Sequence, residues 1–588
     1  MRNYLLFFSV LFSFTYYSCA QGIPRVYSNM SMDSDGNIYF FHKDKKLKSI
    51  ERIPKYTFSK LASDPVGTES GIHFDFQDST FNGKIYFGLI DMEGIKYPQA
   101  VFFKRNAIIK GGKASINILK NLSGKYDFIN WEETGKLRLG YRIINDSGTM
   151  LYEGKVNLLG KGPFQTDIAI IEGPFINRLL PDKVSISFVT NVPVKAAILV
   201  DNKVFSDEKA MVNHEISIDN LEPDTQYKYD ISYGKWMEGY HFNTAIEKGS
   251  RQAFTFAYTS DSREGQGGGE RAMYGTNAYM MKKMTALAAY KKSAFFQFTG
   301  DMINGYRLNK DQQQLEYSNW KNSVQHYWKY APIYVGMGNH EALVTGFEGR
   351  ISVVRFPFET ESAEAIFSKN MVSPLNGPDS EDGAWYDPDP NNIDFPSYKE
   401  NVFYYTYGNV AMVVLNSNYW YAPSKGLIPV HSGNLHGYLM DKQMEWFEDC
   451  MGKLEKDEDI DHVFVTLHTP AFPNGGHAHD DMWYHGNNEH RAFVSGVPMK
   501  KGIIERRDDF LDVVINKSPK CVAILHGDEH NYSRLLINDK TPIYPENWEK
   551  KKLKISRPLW QITNGAAGAP YYSQEELPWS DFVQTFST

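Results

Sequence analysis

The stretch Ile333-Tyr334-Val335-Gly336-Met337-Gly338-Asn339-His340-Glu341 passes from apolar residues directly into an amide, an imidazole and a carboxylate. Its first three residues read as a short buried strand, and the glycines end it. Four other places repeat this arrangement. Tyr258-Thr259-Ser260-Asp261 ends a strand candidate at 253–259, and Gly300-Asp301 ends one at 294–299. His468 closes Val463-Phe464-Val465-Thr466-Leu467, and Gly527-Asp528-Glu529-His530 follows a strand at 522–525. A single Gly-Asp pair is usually a turn, and a lone His usually packs or caps. Five such endings in order are hard to explain by turn chemistry. In open α/β sheets ligands gather where strands end at their carboxyl edge.

Helical stretches with apolar residues near 3.6 spacing lie between the strands, at 270–292, 312–328, 442–454 and 505–516. Further strands are expected at 411–415 and 559–562. This alternation predicts an α/β layer domain over 249–588. Residues 359–398, rich in Asp, Pro and Asn, read as a long surface insertion of the lid or binding-loop kind. Upstream, Val184, Ile186 and Phe188 alternate with polar residues. The segment Leu221-Glu222-Pro223-Asp224-Thr225-Gln226-Tyr227 resembles the strand-entry corner of fibronectin type III-like sandwiches. A second all-β unit is therefore expected over 174–248. Residues 21–173 show short strands broken by Gly, Asn and Asp, with no catalytic constellation, and read as a β-rich module for contacts.

The 588 residues are 42% hydrophobic and 23% charged, which is globular chemistry and excludes a disordered or fibrous chain. A net charge of −7 argues against nucleic-acid duplex binding, which needs a basic footprint. Three Cys exclude a disulfide scaffold and a Cys-based zinc site, so any metal must be held by oxygen and nitrogen. Arg2 and the apolar run from Leu5 to Phe14 read as a leader over 1–20, too short to span a bilayer as a helix. Ser18-Cys19-Ala20 fits signal-peptidase cleavage, and also a lipobox that would lipidate Cys19, although Tyr16 sits where Leu is preferred. Both readings export the protein, to the periplasm, the outer membrane or the medium. Cys450 and Cys521 are expected to be buried or incidental.

The order Asp, Gly-Asp, Gly-Asn-His-Glu, His, Gly-x-x-His resembles calcineurin-like metallophosphoesterases. With the preceding sandwich it is similar to their purple acid phosphatase-like branch. Gly565-Ala566-Ala567-Gly568-Ala569-Pro570 resembles that family's C-terminal glycine-rich segment. The resemblance implies a layered β-sandwich flanked by helices (α/β, or α+β), preceded by two all-β domains. It also implies two divalent metal ions, Zn, Mn, Fe or Mg, and a small phosphate mono- or diester as substrate. Asp301 would bridge the ions. Asp261 and His530 would complete the first site, and Asn339, His468 and Asp528 the second. A hydroxide made available by the cations would attack phosphorus, and His340 would protonate the leaving group.

Three departures stand out. The family's last motif is usually Gly-His-x-His, whereas Asp528 takes the first His position here, with His526 nearby as a possible substitute ligand. A Tyr three residues after the bridging Asp is replaced by Asn304, which argues against a coloured ferric centre and is counted among substrate contacts. Arg263 stands where relatives carry a His, and is suited to a phosphate oxygen. His477 and His479, on a Gly-rich loop, lie at the spacing of substrate-contacting histidines, and Asn416-Ser417-Asn418 is a weaker candidate to reach the centre. His431, His436, His485 and His490 are expected to be surface or packing residues. Asp528 also motivates an alternative reading: a surface protein binding glycan or peptide, with an inactive phosphatase-like domain.

Overall fold

The computed structural model describes residues 22–92 and 98–588. The leader at 1–20, with Cys19, lies outside the described residues. The first all-β domain stacks an antiparallel five-stranded sheet on a three-stranded one. The larger sheet runs in the order Gln165–Asp167, Met150–Leu159, Lys136–Asn145, Gly83–Ile90, Ala100–Ile109. The smaller joins Val66–Gly67, Gly71–Asp75 and Lys113–Asn117. Period-2 alternation turns Phe74, Ile116, Leu139 and Tyr141 inward, where they meet Trp131 and Tyr152.

The second domain is a seven-stranded sandwich. Its three-stranded sheet is Ile170–Asn177, Val184–Val194 and Met211–Ile218. The four-stranded sheet is ordered Lys203–Ser206, Ala196–Val200, Gln226–Tyr233, Trp236–Asn243. The Tyr227 hydroxyl accepts the Glu222 backbone N–H at 2.8 Å, the corner contact expected from the sequence.

The C-terminal domain packs two sheets face to face between helices. One is parallel: Ala257–Thr259, Phe296–Phe298, Ile333–Val335. The other has seven strands, with Val410–Val414, His462–Thr466, Cys521–His526 and Leu559–Asn564 parallel at its centre. Phe295, Tyr334, Tyr405, Met412, Val414 and Leu525 fill the space between the sheets, Tyr334 and Tyr405 stacking at 3.7 Å. Fully burying side chains of this size contributes about 1.5–3 kcal/mol each. Cys450 and Cys521 are buried free thiols.

The helix expected from residue 270 starts later, at Ala278–Tyr290, where the Asn277 side chain caps it by accepting the Met280 N–H. Helix Lys310–Trp328 is largely buried although 13 of its 19 residues are polar, because it docks both all-β domains. Asn319 donates to the Leu151 carbonyl, Asn322 to that of Glu153, and Lys321 pairs with buried Glu172.

Two expectations need correction. Residues 30–50 do not join the first domain. Met30–Met32, Ile38–His42 and Lys45–Ile50 form a sheet with Val344–Phe347 and Ile351–Val354 of the C-terminal domain, and Phe40 packs on Phe347. Nor is 359–398 a loose surface insertion. It contains helix Ala363–Asn370 and buries Phe395, Tyr398 and Glu381. The Glu381 carboxylate accepts the Tyr386 and Tyr398 hydroxyls. It also accepts the Lys442 and Gln443 N–H groups at the start of helix Asp441–Lys456, where a negative charge suits the helix dipole.

Candidate metal centre

The carboxyl ends of the two sheets face one another, and their terminal side chains converge. Asp261, Asp301 and Asp528 all turn the chain with positive φ, at 67°, 57° and 67°. A non-glycine residue pays about 1–2 kcal/mol for that conformation, so packing must impose it. Glycines permit the close approach. A Cβ on Gly338 would meet Asp301 Oδ1 at 2.3 Å, and one on Gly527 would meet Ser260 Oγ at 2.0 Å.

Donor atoms of Asp261, Asp301 and His530 lie within 4.8 Å of one another, and so do those of Asp301, His468 and Asp528. Asp301 is common to both groups. His468 Nε2 is 3.2 Å from Asp301 Oδ1 and 3.3 Å from Asp528 Oδ1, and His530 Nε2 is 3.5 Å from Asp261 Oδ1. Each imidazole is oriented by its other nitrogen: Nδ1 of His468 meets the Thr299 carbonyl at 2.9 Å, and Nδ1 of His530 meets that of Pro570. That contact keeps the proton on Nδ1 and leaves Nε2 as the lone-pair donor, the usual arrangement of a metal-ligating His. Asn339 donates its amide to the Tyr306 hydroxyl at 2.7 Å, which fixes the opposite end of the group, Oδ1.

The donor set fits a pair of cations. Asp261 Oδ1, Asn339 Oδ1 and His468 Nε2 are buried and have no hydrogen-bond partner, and leaving buried polar atoms unpaired is costly. Carboxylates within 4.8 Å of one another repel by about 3 kcal/mol at an effective dielectric of about 20. Burial alone would raise the Asp301 carboxyl, but the His468 and His340 imidazoles outweigh it and hold it well below the usual range. Burial would lower His468, but Asp301, Asp528 and Asp261 together drive it well up. Oxygen and imidazole ligands suit hard or borderline divalent ions.

His340 lies over this centre, its Nδ1 2.6 Å from the Asn304 carbonyl and its Nε2 3.8 Å from Asp301 Oδ2. Burial pushes the imidazole down, against the pull of Asp301. Arg263 reaches His530 Nε2 and the Tyr572 hydroxyl, both at 3.3 Å. Of the remaining candidates, His477 comes within 3.6 Å of Asp528 Oδ1, whereas His479 is half-exposed and pairs with Asp480. The Asn304 side chain is engaged with Glu264, accepting its N–H and donating to its carboxylate, both at 2.9 Å, so that Asn304 serves the site through its backbone carbonyl. Asn416 and Ser417 are tied to Gln443, Asn401 and Thr469. His526 bonds the Leu467 carbonyl and belongs to neither donor group.

Three residues of the site were not assigned from the sequence. Glu341 accepts the N–H groups of Gly338, Asp301 and Met302 at 2.6, 2.9 and 2.8 Å, and so shapes two ligand loops at once. Tyr306 orients Asn339. His436, expected as a packing or surface residue, is buried with Nε2 2.6 Å from Asp528 Oδ2. A tyrosine hydroxyl facing an amide, or an acid three residues into a turn, has no distinctive local spacing, so these roles appear only in three dimensions.

Residues 255–532 match the family model for calcineurin-like phosphoesterases. No curated protein matches the sequence. The chain is similar to the solved structure of PhoD at 14% identity, covering 70% of this chain and 81% of that one, with a TM-score of 0.41. It is also similar to a purple acid phosphatase, PPD1, isolated from yellow lupin (Lupinus luteus) seeds. That match has 10% identity, coverage of 88% and 86%, and a TM-score of 0.48. A dimetal phosphatase from Danio rerio matches at 11% identity, covering 54% of this chain and 90% of that one, with a TM-score of 0.29.

Proposed function

Because residues 255–532 form a calcineurin-like phosphoesterase domain, that of a hydrolase acting on phosphate esters, we propose that the chain is an exported dinuclear enzyme cleaving small phosphate mono- or diesters. The observation that carries this reading is the convergence of donor atoms from Asp261, His530, His468 and Asp528 on Asp301, with Asp261 Oδ1 and His468 Nε2 buried and unpartnered. Asp261, Asp301 and His530 would hold one cation, and Asp301, Asn339, His468 and Asp528 the other. Divalent ions bound there would lower the pKa of a water and offset charge on the phosphoryl oxygens.

The chain's own residues do the rest. Arg263 offers guanidinium N–H groups to a phosphoryl oxygen beside His530. His340, its Nδ1–H held by the Asn304 carbonyl, presents Nε2 to take up a proton from the attacking water and pass it to the leaving oxygen. Burial of Asp261, Asp301, His468 and Asp528 keeps bulk water from screening these charges. Asp528, the residue that suggested an inactive binding protein, has a donor oxygen within 4.8 Å of those of Asp301 and His468, which supports the enzyme reading.

Release of p-nitrophenol from p-nitrophenyl phosphate and its bis ester, by protein reconstituted with Zn(II) or Mn(II), tests the activity. Asp301→Asn should abolish turnover, and normal turnover in that variant would refute the assignment. Export is supported by Arg2, the run from Leu5 to Phe14 and Ser18-Cys19-Ala20. Mass spectrometry of the mature N-terminus distinguishes a chain starting at Gln21 from one lipidated at Cys19, and an intact Met1 would contradict both.

A further inference from the structure

We propose that Asp528 is a second bridging carboxylate, linking the dinuclear pair to a third cation position built by His436, His477 and Asp481. The proposal rests on the reading above for the first two cations. Donor atoms of His436, His477, Asp481 and Asp528 lie within 4.8 Å of one another. His436, Asp481 and Asp528 are at least 97% buried.

The two oxygens of Asp528 face different partners. Oδ1 lies between His468 Nε2 at 3.3 Å and His477 Nε2 at 3.6 Å, and Oδ2 is 2.6 Å from His436 Nε2. Asp481 Oδ1 approaches the same His436 nitrogen at 3.1 Å. One imidazole nitrogen carries at most one proton, so it cannot serve two carboxylates fully. The other oxygen, Asp481 Oδ2, is buried without any partner. Asp481 and Asp528 thus share one imidazole nitrogen and leave a buried carboxylate oxygen unpaired, and a cation ligated by both carboxylates would satisfy it.

The neighbouring ring is already oriented for ligation. His477 Nδ1 lies 3.1 Å from Asp480 Oδ1, which directs Nε2 towards Asp528 Oδ1 at 3.6 Å. A carboxylate behind a His is a common outer support of a metal ligand. Two imidazoles with two carboxylates suit Zn(II), Mn(II) or Fe(II) better than Ca(II).

This placement gives the departure from Gly-His-x-His a physical reason. An imidazole in that position offers one lone pair to one ion, whereas a carboxylate offers an oxygen to each of two. Asp528 therefore does between the second and third positions what Asp301 does between the first and second.

Elemental analysis of the full chain, loaded with Zn(II) and desalted, tests this. Wild type should hold about three equivalents, and His436→Ala and Asp481→Asn about two each. Native mass spectrometry counts the ions on folded molecules, should either variant fold poorly. Two equivalents in wild type, unchanged by both substitutions, would overturn the third position while leaving the dinuclear reading intact. No bound metal would overturn both.

Discussion

Glu341 Oε2 accepts the backbone N–H of Asp301 at 2.9 Å, although neither residue is exposed and both are acidic. Burial, with the Asp301 charge beside it, pushes the Glu341 carboxyl up to about 8. The contact persists because the loop N–H groups of Gly338, Asp301 and Met302 converge on the two carboxylate oxygens. Glu341→Gln replaces an acceptor with an NH2 group facing a donor. Metal affinity, measured by calorimetric titration, should fall about 10–100-fold with the fold retained, as for other outer-shell losses. Unchanged affinity would remove Glu341 from the account.

Gly338 and Gly527 are required for space. A Cβ at Gly338 would also meet the Asp301 backbone N at 2.7 Å, and one at Gly527 would meet Asp261 Oδ2 at 2.8 Å. Gly338→Ala and Gly527→Ala should each lose bound metal and lower the melting temperature, by about 1–3 kcal/mol of overpacking strain. Wild-type metal content in either would contradict the packed geometry.

His340 and Tyr306 separate proton transfer from ligand positioning. His340→Ala should keep its metal and lose about 10²–10⁴-fold in kcat. Tyr306→Phe removes the hydroxyl bonded to Asn339, and should weaken the second cation with a smaller loss of kcat once metal is saturating. If His340→Ala loses metal instead, His340 holds the centre together and does not act on the proton.

His431 packs its ring against Phe40 of the N-terminal sheet at 6.0 Å, and burial pushes its imidazole down to about 4. The unfolded value is about 6.5, so folding favours the neutral ring. That contribution is fully present above about pH 6.5 and is lost as the pH falls through about 4. The His431 imidazole resonances should therefore stay unprotonated from pH 8 to 5 by NMR. Titration within that range would contradict the burial.

The strand ends carrying ligands were legible because strands buried on both faces give apolar runs, and a metal-bearing residue breaks such a run abruptly. Asp261, Asp301, Asn339, His468, Asp528 and His530 all lie where those runs stop. His436 was not legible, since 92 residues separate it from Asp528 and no local pattern joins them. The segment 359–398 misled for a different reason. Asp, Pro and Asn signal turns, but turn composition does not reveal that Glu381 is buried and satisfied by Tyr386, Tyr398 and a helix N-terminus. Helix Lys310–Trp328 shows its 3.6-residue period in sequence, yet its polar residues conceal that it is an interface.

Anomalous diffraction at a metal absorption edge, from crystals of reconstituted protein, tests the central claim most directly. Two peaks should flank Asp301 at about 2.0–2.2 Å from its oxygens, one beside Asp261 and His530 and the other beside Asn339 and His468. Density showing metal only elsewhere, or none within ligand distance of Asp301, would contradict the account.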